Sequence, residues 1–156
     1  MKRRATSGFS LIEILVAVAI ASVLAAFAIP MTINVVKGVR LTAAVSSATG
    51  AIQSTRYLAI MHGYSYEITF TPASNSYQVL NQVPPATTFS NVGTVVPISG
   101  PGAVTISRTI TLQFSANGTV TEIPTTGNMT FSITNAIGGS NTITVSSVGN
   151  VSVTTP

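Results

Sequence analysis

The sequence has no cysteine, one histidine and three acidic residues, none of them aspartate. Each shortage removes a class of chemistry. Without cysteine there is no disulfide framework, and redox compartment is left open by that criterion. A calcium site wants several carboxylates, and Glu13, Glu67 and Glu122 are spread one to a region. Zinc has too few ligands for the same reason. A serine triad would have to combine His62 with Glu67 or Glu122, and nothing resembles a nucleophile elbow. His62, beside Gly63, reads instead as a helix-end residue that meets the last carbonyls. The pair Gly138-Gly139 reads as turn chemistry with no phosphate-loop context. These absences point away from an enzyme and imply no cofactor and no metal.

Charge is scarce as well, at 6% of residues, although the pI is near 10.0. A basic pI suggests an anionic partner. The inference is weak here, because Lys2, Arg3 and Arg4 form a short head in front of an apolar run. Beyond that head, Lys37, Arg40, Arg56 and Arg108 nearly balance the three glutamates.

What the chain does have is that run. Leu11–Ile29 is apolar or small except for Glu13 and Ser22. At about 1.5 Å per helical residue it spans about 28 Å, enough to cross a bilayer. The basic head stays cytoplasmic by the positive-inside rule, so a single pass leaves the carboxy-terminal bulk outside. An ordinary secretory signal has a shorter core and a small-residue cleavage site beyond it, and no A-x-A site precedes Pro30. Gly8 lies instead at the junction with the head, where a cytoplasmic-side peptidase could remove Met1–Gly8 and expose a new amino terminus at Phe9. Glu13 is costly in hydrocarbon, by about 2.5–3.5 kcal/mol at a span's centre and less near its end. It either pairs with the Phe9 ammonium, within the chain or from a neighbouring subunit, or snorkels to the headgroups.

The segment KRRATSG/FSLIEILVAVAIASVLAAFAIP resembles the class III leader of type IV pilins and type II secretion pseudopilins. Gly8 matches the residue before the scissile bond, Phe9 the N-methylated first residue, Glu13 the family glutamate and Pro30 the helix-kinking proline. The resemblance implies cleavage by prepilin peptidase, storage in the bacterial inner membrane with the carboxy-terminal domain in the periplasm, and handling by an assembly platform. It also implies packing among other pilin subunits, with Glu13 paired to a neighbour's amino terminus. The implied fold is α+β: a long kinked helix, its first half membrane-spanning and its second amphipathic, on an antiparallel β-sheet domain.

The downstream sequence fits that plan. A proline inside a helix removes a hydrogen bond, so a kink is expected at Pro30 and the helix continues. Leu41, Val45, Ala48, Ile52, Thr55 and Ala59 alternate spacings of four and three, one face of an amphipathic helix. Gly63 is a suitable stop. The organisation is then a cleaved leader over 1–8, a helix over 9–62 with 11–29 as span and filament core, and a β-rich exported domain over 63–156.

From Tyr64 the period becomes two. Tyr64, Tyr66, Ile68 and Phe70 alternate with polar residues, and after Pro72–Ser76 the chain returns as Tyr77–Leu80, a hairpin. Asn81–Gly102 carries Pro84, Pro85, Pro97 and Pro101 and reads as an irregular connection with one short strand at Thr94–Ile98. Ile110–Phe114, the Asn117-Gly118 turn and Thr119–Ile123 follow, then Met129–Ile133, Ile143/Val145 and Val151/Val153. Hydroxyls and amides rather than charges supply the polar faces.

Ala51–Tyr66 and the closing strands are similar to the GspH/FimT group of minor pilins and pseudopilins, through Arg56, Ala59-Ile60 and Gly63. Some members of that group bind DNA through a carboxy-terminal G-R-x-R motif. This chain reads Gly149-Asn150-Val151-Ser152 there, so both arginines are missing. Phosphate contact needs cations, so DNA is an unlikely partner. The resemblance implies a minor pilin or pseudopilin in a type II secretion pseudopilus or type IV pilus. The alternative is a DNA- or substrate-binding minor pilin acting in natural transformation or adhesion.

Overall fold

A computed structural model describes residues 9–100, 102–125 and 127–155, so the leader residues Lys2, Arg3, Arg4 and Gly8 lie outside the described residues. One long helix comes first, α1, Leu11–His62, with Pro30 inside it. Two compact units divide the chain, the first ending at Val36 and the second beginning at Lys37.

In the first unit every described side chain is exposed, including Phe9, Leu11, Phe27 and Ile33. Its hydroxyls are satisfied locally: Ser22 donates to the Val18 carbonyl at 2.8 Å and Thr32 to Ala28 at 2.9 Å. That back-bonding is what an apolar medium demands of a helix, since no water is there to take up polar groups.

The second unit has a conventional core. Leu41, Ala44, Val45, Ala48, Ala51, Ile52, Thr55 and Ala59 are buried along one stripe of α1, the face expected from the four-and-three spacing. Alanine recurs in that stripe, at Ala44, Ala48, Ala51 and Ala59. Thr55 is tolerated there because its hydroxyl returns to the Ala51 carbonyl at 2.7 Å. The helix stops at Gly63, whose φ of 75° suits glycine and whose N–H reaches the Ala59 carbonyl at 3.0 Å.

Among the described residues nine strands follow: β1 Tyr66–Thr71, β2 Ser76–Asn81, β3 Ser90–Pro97, β4 Val104–Ile106, β5 Ile110–Phe114, β6 Val120–Ile123, β7 Thr130–Asn135, β8 Ser140–Val145 and β9 Val151–Thr154. They form two antiparallel sheets rather than one, in the orders β3-β2-β1-β5-β6 and β4-β7-β8-β9. Burial alternates strictly along β1, β5 and β7, which places Ile68, Phe70, Leu112, Phe114, Phe131 and Ile133 in the core. Phe70 and Phe131 join the two sheets with ring centroids 4.9 Å apart.

The Asn81–Gly102 segment corrects the sequence reading. In place of one short strand at Thr94–Ile98 it contains the eight-residue edge strand β3. Both faces of β3 are exposed, so no alternation marks it in the sequence. Its register with β2 shifts between Tyr77 and Val79, beside Gly93 at φ 73°, and the Gln78 amide donates to the Val79 carbonyl at 2.8 Å inside the irregularity. Bulges of this kind twist an edge away from unwanted pairing. Pro97 is tolerated as the last residue of an edge strand.

Candidate functional site

Of the residues singled out for processing and assembly, Phe9, Glu13 and Pro30 are among the described residues. Phe9 is 78% exposed just before the helix, and Glu13 is in the first helical turn and exposed. The Ser10 carbonyl receives the N–H groups of Glu13 at 3.0 Å and Ile14 at 3.3 Å, which starts the helix. A carboxylate in the first turn is favoured by the helix dipole. No hydrogen bond or ion pair joins the Glu13 carboxylate to another described residue. Pro30 is on the same helix, well separated from Glu13, so α1 does not bring the two together.

The first unit offers surface chemistry of one kind. Leu11, Ile14, Leu15 and Val18 border a shallow apolar recess of about 490 Å³, and Ala17, Ala19, Ala21, Ala25 and Ala26 keep stretches of the helix slim. Only α1 is long and apolar enough to cross a membrane among the described residues. A bare apolar helix with one carboxylate near its start can be buried in lipid or against other helices.

The cations of the second unit are differently disposed. Arg56 is half-buried and donates from Nε to the Gly118 carbonyl at 3.2 Å. Arg108 pairs with Glu122, which is 3% exposed, and also donates from Nε to the Thr130 carbonyl at 3.0 Å and from Nη2 to the Asn128 carbonyl. Neither pairing could be read from spacing, because the partners are far apart in sequence and meet only through the sheet order. Lys37 and Arg40 make no side-chain hydrogen bond or ion pair with another described residue. The four cations are therefore divided, two serving the fold and two, the half-buried Lys37 and the exposed Arg40, at the start of the unit.

At the end of α1, the Leu58 carbonyl lies 3.1 Å from His62 Nδ1. A carbonyl only accepts, so this ring nitrogen carries the proton, in keeping with a helix-end role. The Tyr66 hydroxyl is 3.0 Å from the same nitrogen, and the rings of His62, Tyr64 and Tyr66 stack at 5.4–5.7 Å. The Tyr64 hydroxyl is held above its ordinary pKa, first by its hydrogen bond with Tyr66 and then by burial. Burial also raises the Glu67 carboxyl above its ordinary value. No group of three or more His, Cys, Asp or Glu side chains is placed to hold a metal among the described residues.

Residues 3–29 match the prokaryotic N-terminal methylation motif. The crystal structure of the type IV minor pilin FimU from Pseudomonas aeruginosa superposes with a TM-score of 0.55, over 74% of this chain and 92% of that one. The chain has the pilin fold. At 17% identity the likeness to FimU is one of architecture: a long amino-terminal helix on antiparallel sheets. No curated protein matches the sequence. Pilin architecture gives the two units of α1 distinct surroundings, the first bare and the second built into the domain core.

Proposed function

We propose that this chain is a minor pilin or pseudopilin, assembled into a type IV pilus or a type II secretion pseudopilus. The observation that carries the reading is the fully exposed, apolar first unit of a pilin-fold helix, introduced by a methylation motif. In this account prepilin peptidase cuts between Gly8 and Phe9, using the basic head Lys2, Arg3 and Arg4 as its cytoplasmic marker, and Phe9 is then N-methylated. The mature subunit waits in the inner membrane with its domain, residues 63–156, in the periplasm, and is extracted by an assembly platform. The 11–29 segment then exchanges lipid for the helices of other subunits, and Pro30 supplies a kink.

Exchange of this kind has little hydrophobic drive, because lipid tails and leucine side chains are equally apolar. Close packing at the alanines and pairing of Glu13 must supply the preference. Glu13 then meets the Phe9 ammonium of an adjacent subunit, which relieves the cost of a carboxylate in an apolar core. Glu13→Ala tests this step: the variant should still be cleaved, yet enter filaments poorly, and normal incorporation would refute the pairing. Cross-linking in the native membrane assigns the machine. Recovery with pseudopilins and secretion-platform proteins makes it a secretion part, and recovery with a major pilin makes it a pilus part.

DNA binding is not favoured. Arg56 and Arg108 are committed to carbonyls and to Glu122, which leaves too few free cations for a phosphate track.

A further inference from the structure

We infer that Lys37 and Arg40, with the recess beside Arg40, form a site for the phosphate of an anionic lipid headgroup. The inference rests on the membrane-anchored state proposed above and adds a lipid partner to it.

Three observations carry it. From Ile14 to Val36 the helix holds no charged side chain. At about 1.5 Å per residue that stretch runs about 34 Å, slightly more than the roughly 30 Å of a bilayer's hydrocarbon. Lys37 and Arg40 are the first charges beyond the 11–29 span, on the side where the domain emerges.

The two cations are also three residues apart on one helix, which puts them on one face. Arg40 is exposed and Lys37 half-buried, and no carboxylate answers either of them among the described residues. Of the carboxylates in the same unit, Glu122 is committed to Arg108, and Glu67 forms no ion pair with either cation.

Finally, Arg40 does not stand on open surface. With Ala43, Ile98, Ser99 and Gly100 it borders a recess of about 410 Å³. Ile98 is 5% exposed and adds apolar surface to the lining, and the Ser99 hydroxyl donates to the neighbouring Gly100 carbonyl at 3.2 Å. A guanidinium, a hydroxyl and apolar surface in one lining suit a phosphodiester carrying a small polar head and an acyl-chain stem. The charge is of the sign that an anionic membrane surface attracts.

The test uses the full chain in nanodiscs of phosphatidylcholine, with and without phosphatidylglycerol, and counts the lipids that stay bound by native mass spectrometry. The wild type should retain phosphatidylglycerol in preference to phosphatidylcholine. Lys37→Gln and Arg40→Gln should each weaken that preference about fivefold, and Arg40→Lys should restore part of it. Equal retention of the two lipids, or unchanged preference in the double variant, overturns the site. Displacement of the lipid by inorganic phosphate would assign the recess to a soluble anion and overturn the lipid reading. A chain absent from nanodiscs of either composition would overturn the anchoring itself, a result separate from the others.

Discussion

Arg56 and Gly149 meet without room for another atom: a Cβ built on Gly149 would lie 2.5 Å from Arg56 Cδ and 2.9 Å from its Cζ. Gly149 also has φ 80°, in the turn between β8 and β9. The same arginine donates to Gly118 in the turn between β5 and β6, so one side chain from α1 braces a turn of each sheet. The Val120 N–H reaches the Ser147 carbonyl at 2.8 Å and joins the same two turns directly. Gly149 opens the Gly-Asn-Val-Ser stretch, and in this fold its smallness has a structural use.

Gly149→Ala should therefore destabilise the domain by more than the about 1–2 kcal/mol that a left-handed conformation costs a residue with a side chain. The excess is the displacement of Arg56. In a double-mutant cycle followed by denaturant unfolding, Gly149→Ala and Arg56→Ala should be non-additive, because the second change makes room for the first. Strict additivity would show that the clash is relieved elsewhere.

Arg108 and Glu122 form a second brace between the sheets, since Glu122 is on β6 and the other Arg108 acceptors lie at and just before β7. Removing one partner of a buried pair costs about 3–5 kcal/mol. Here the arginine side chain is 35% exposed, so water moderates the loss to about 2–3 kcal/mol. Arg108→Ala, which takes the cation away from a carboxylate that is 3% exposed, should cost more than Arg108→Ala combined with Glu122→Leu. Thermal unfolding of the three proteins checks the order.

Glu67 gives a pH dependence of definite sign. Its carboxyl is raised in the folded chain by burial between neighbours such as Leu80 and Gln113, so the folded state holds the proton more tightly than the unfolded one. Its contribution is fully present below the unfolded carboxyl value, about 4.3, and is lost as pH rises through the folded value. Glu67→Gln should remove this part of the pH profile and narrow the difference in melting temperature between mildly acidic and neutral solution. An identical profile in wild type and variant would contradict it.

The sequence announced these parts unequally, for physical reasons. The helix was legible from end to end because apolar length, four-and-three spacing and Gly63 each have their own signal. Strands β1, β5 and β7 were legible because one face is buried and the other wet. Strand β3 was hidden because both faces are exposed and a register shift breaks it, and β4, only Val104–Ile106, is too short to show a period. The braces at Arg56 and Arg108 were invisible, since charge partners that meet across sheets leave no trace in spacing. The methylation motif, residues 3–29, takes in the whole apolar run Leu11–Ile29, whose length and lack of charge made it the most readable stretch of the chain.

The central claim is that Phe9 becomes the amino terminus of a membrane-held pilin subunit. Mass spectrometry of the amino-terminal peptide of the protein taken from its native envelope tests it most directly. The account predicts a chain beginning at Phe9 with one added methyl group and an intact Leu11–Ile29 segment. A chain still beginning at Met1, or one cut beyond Ala28 so that the apolar segment is lost, would contradict it.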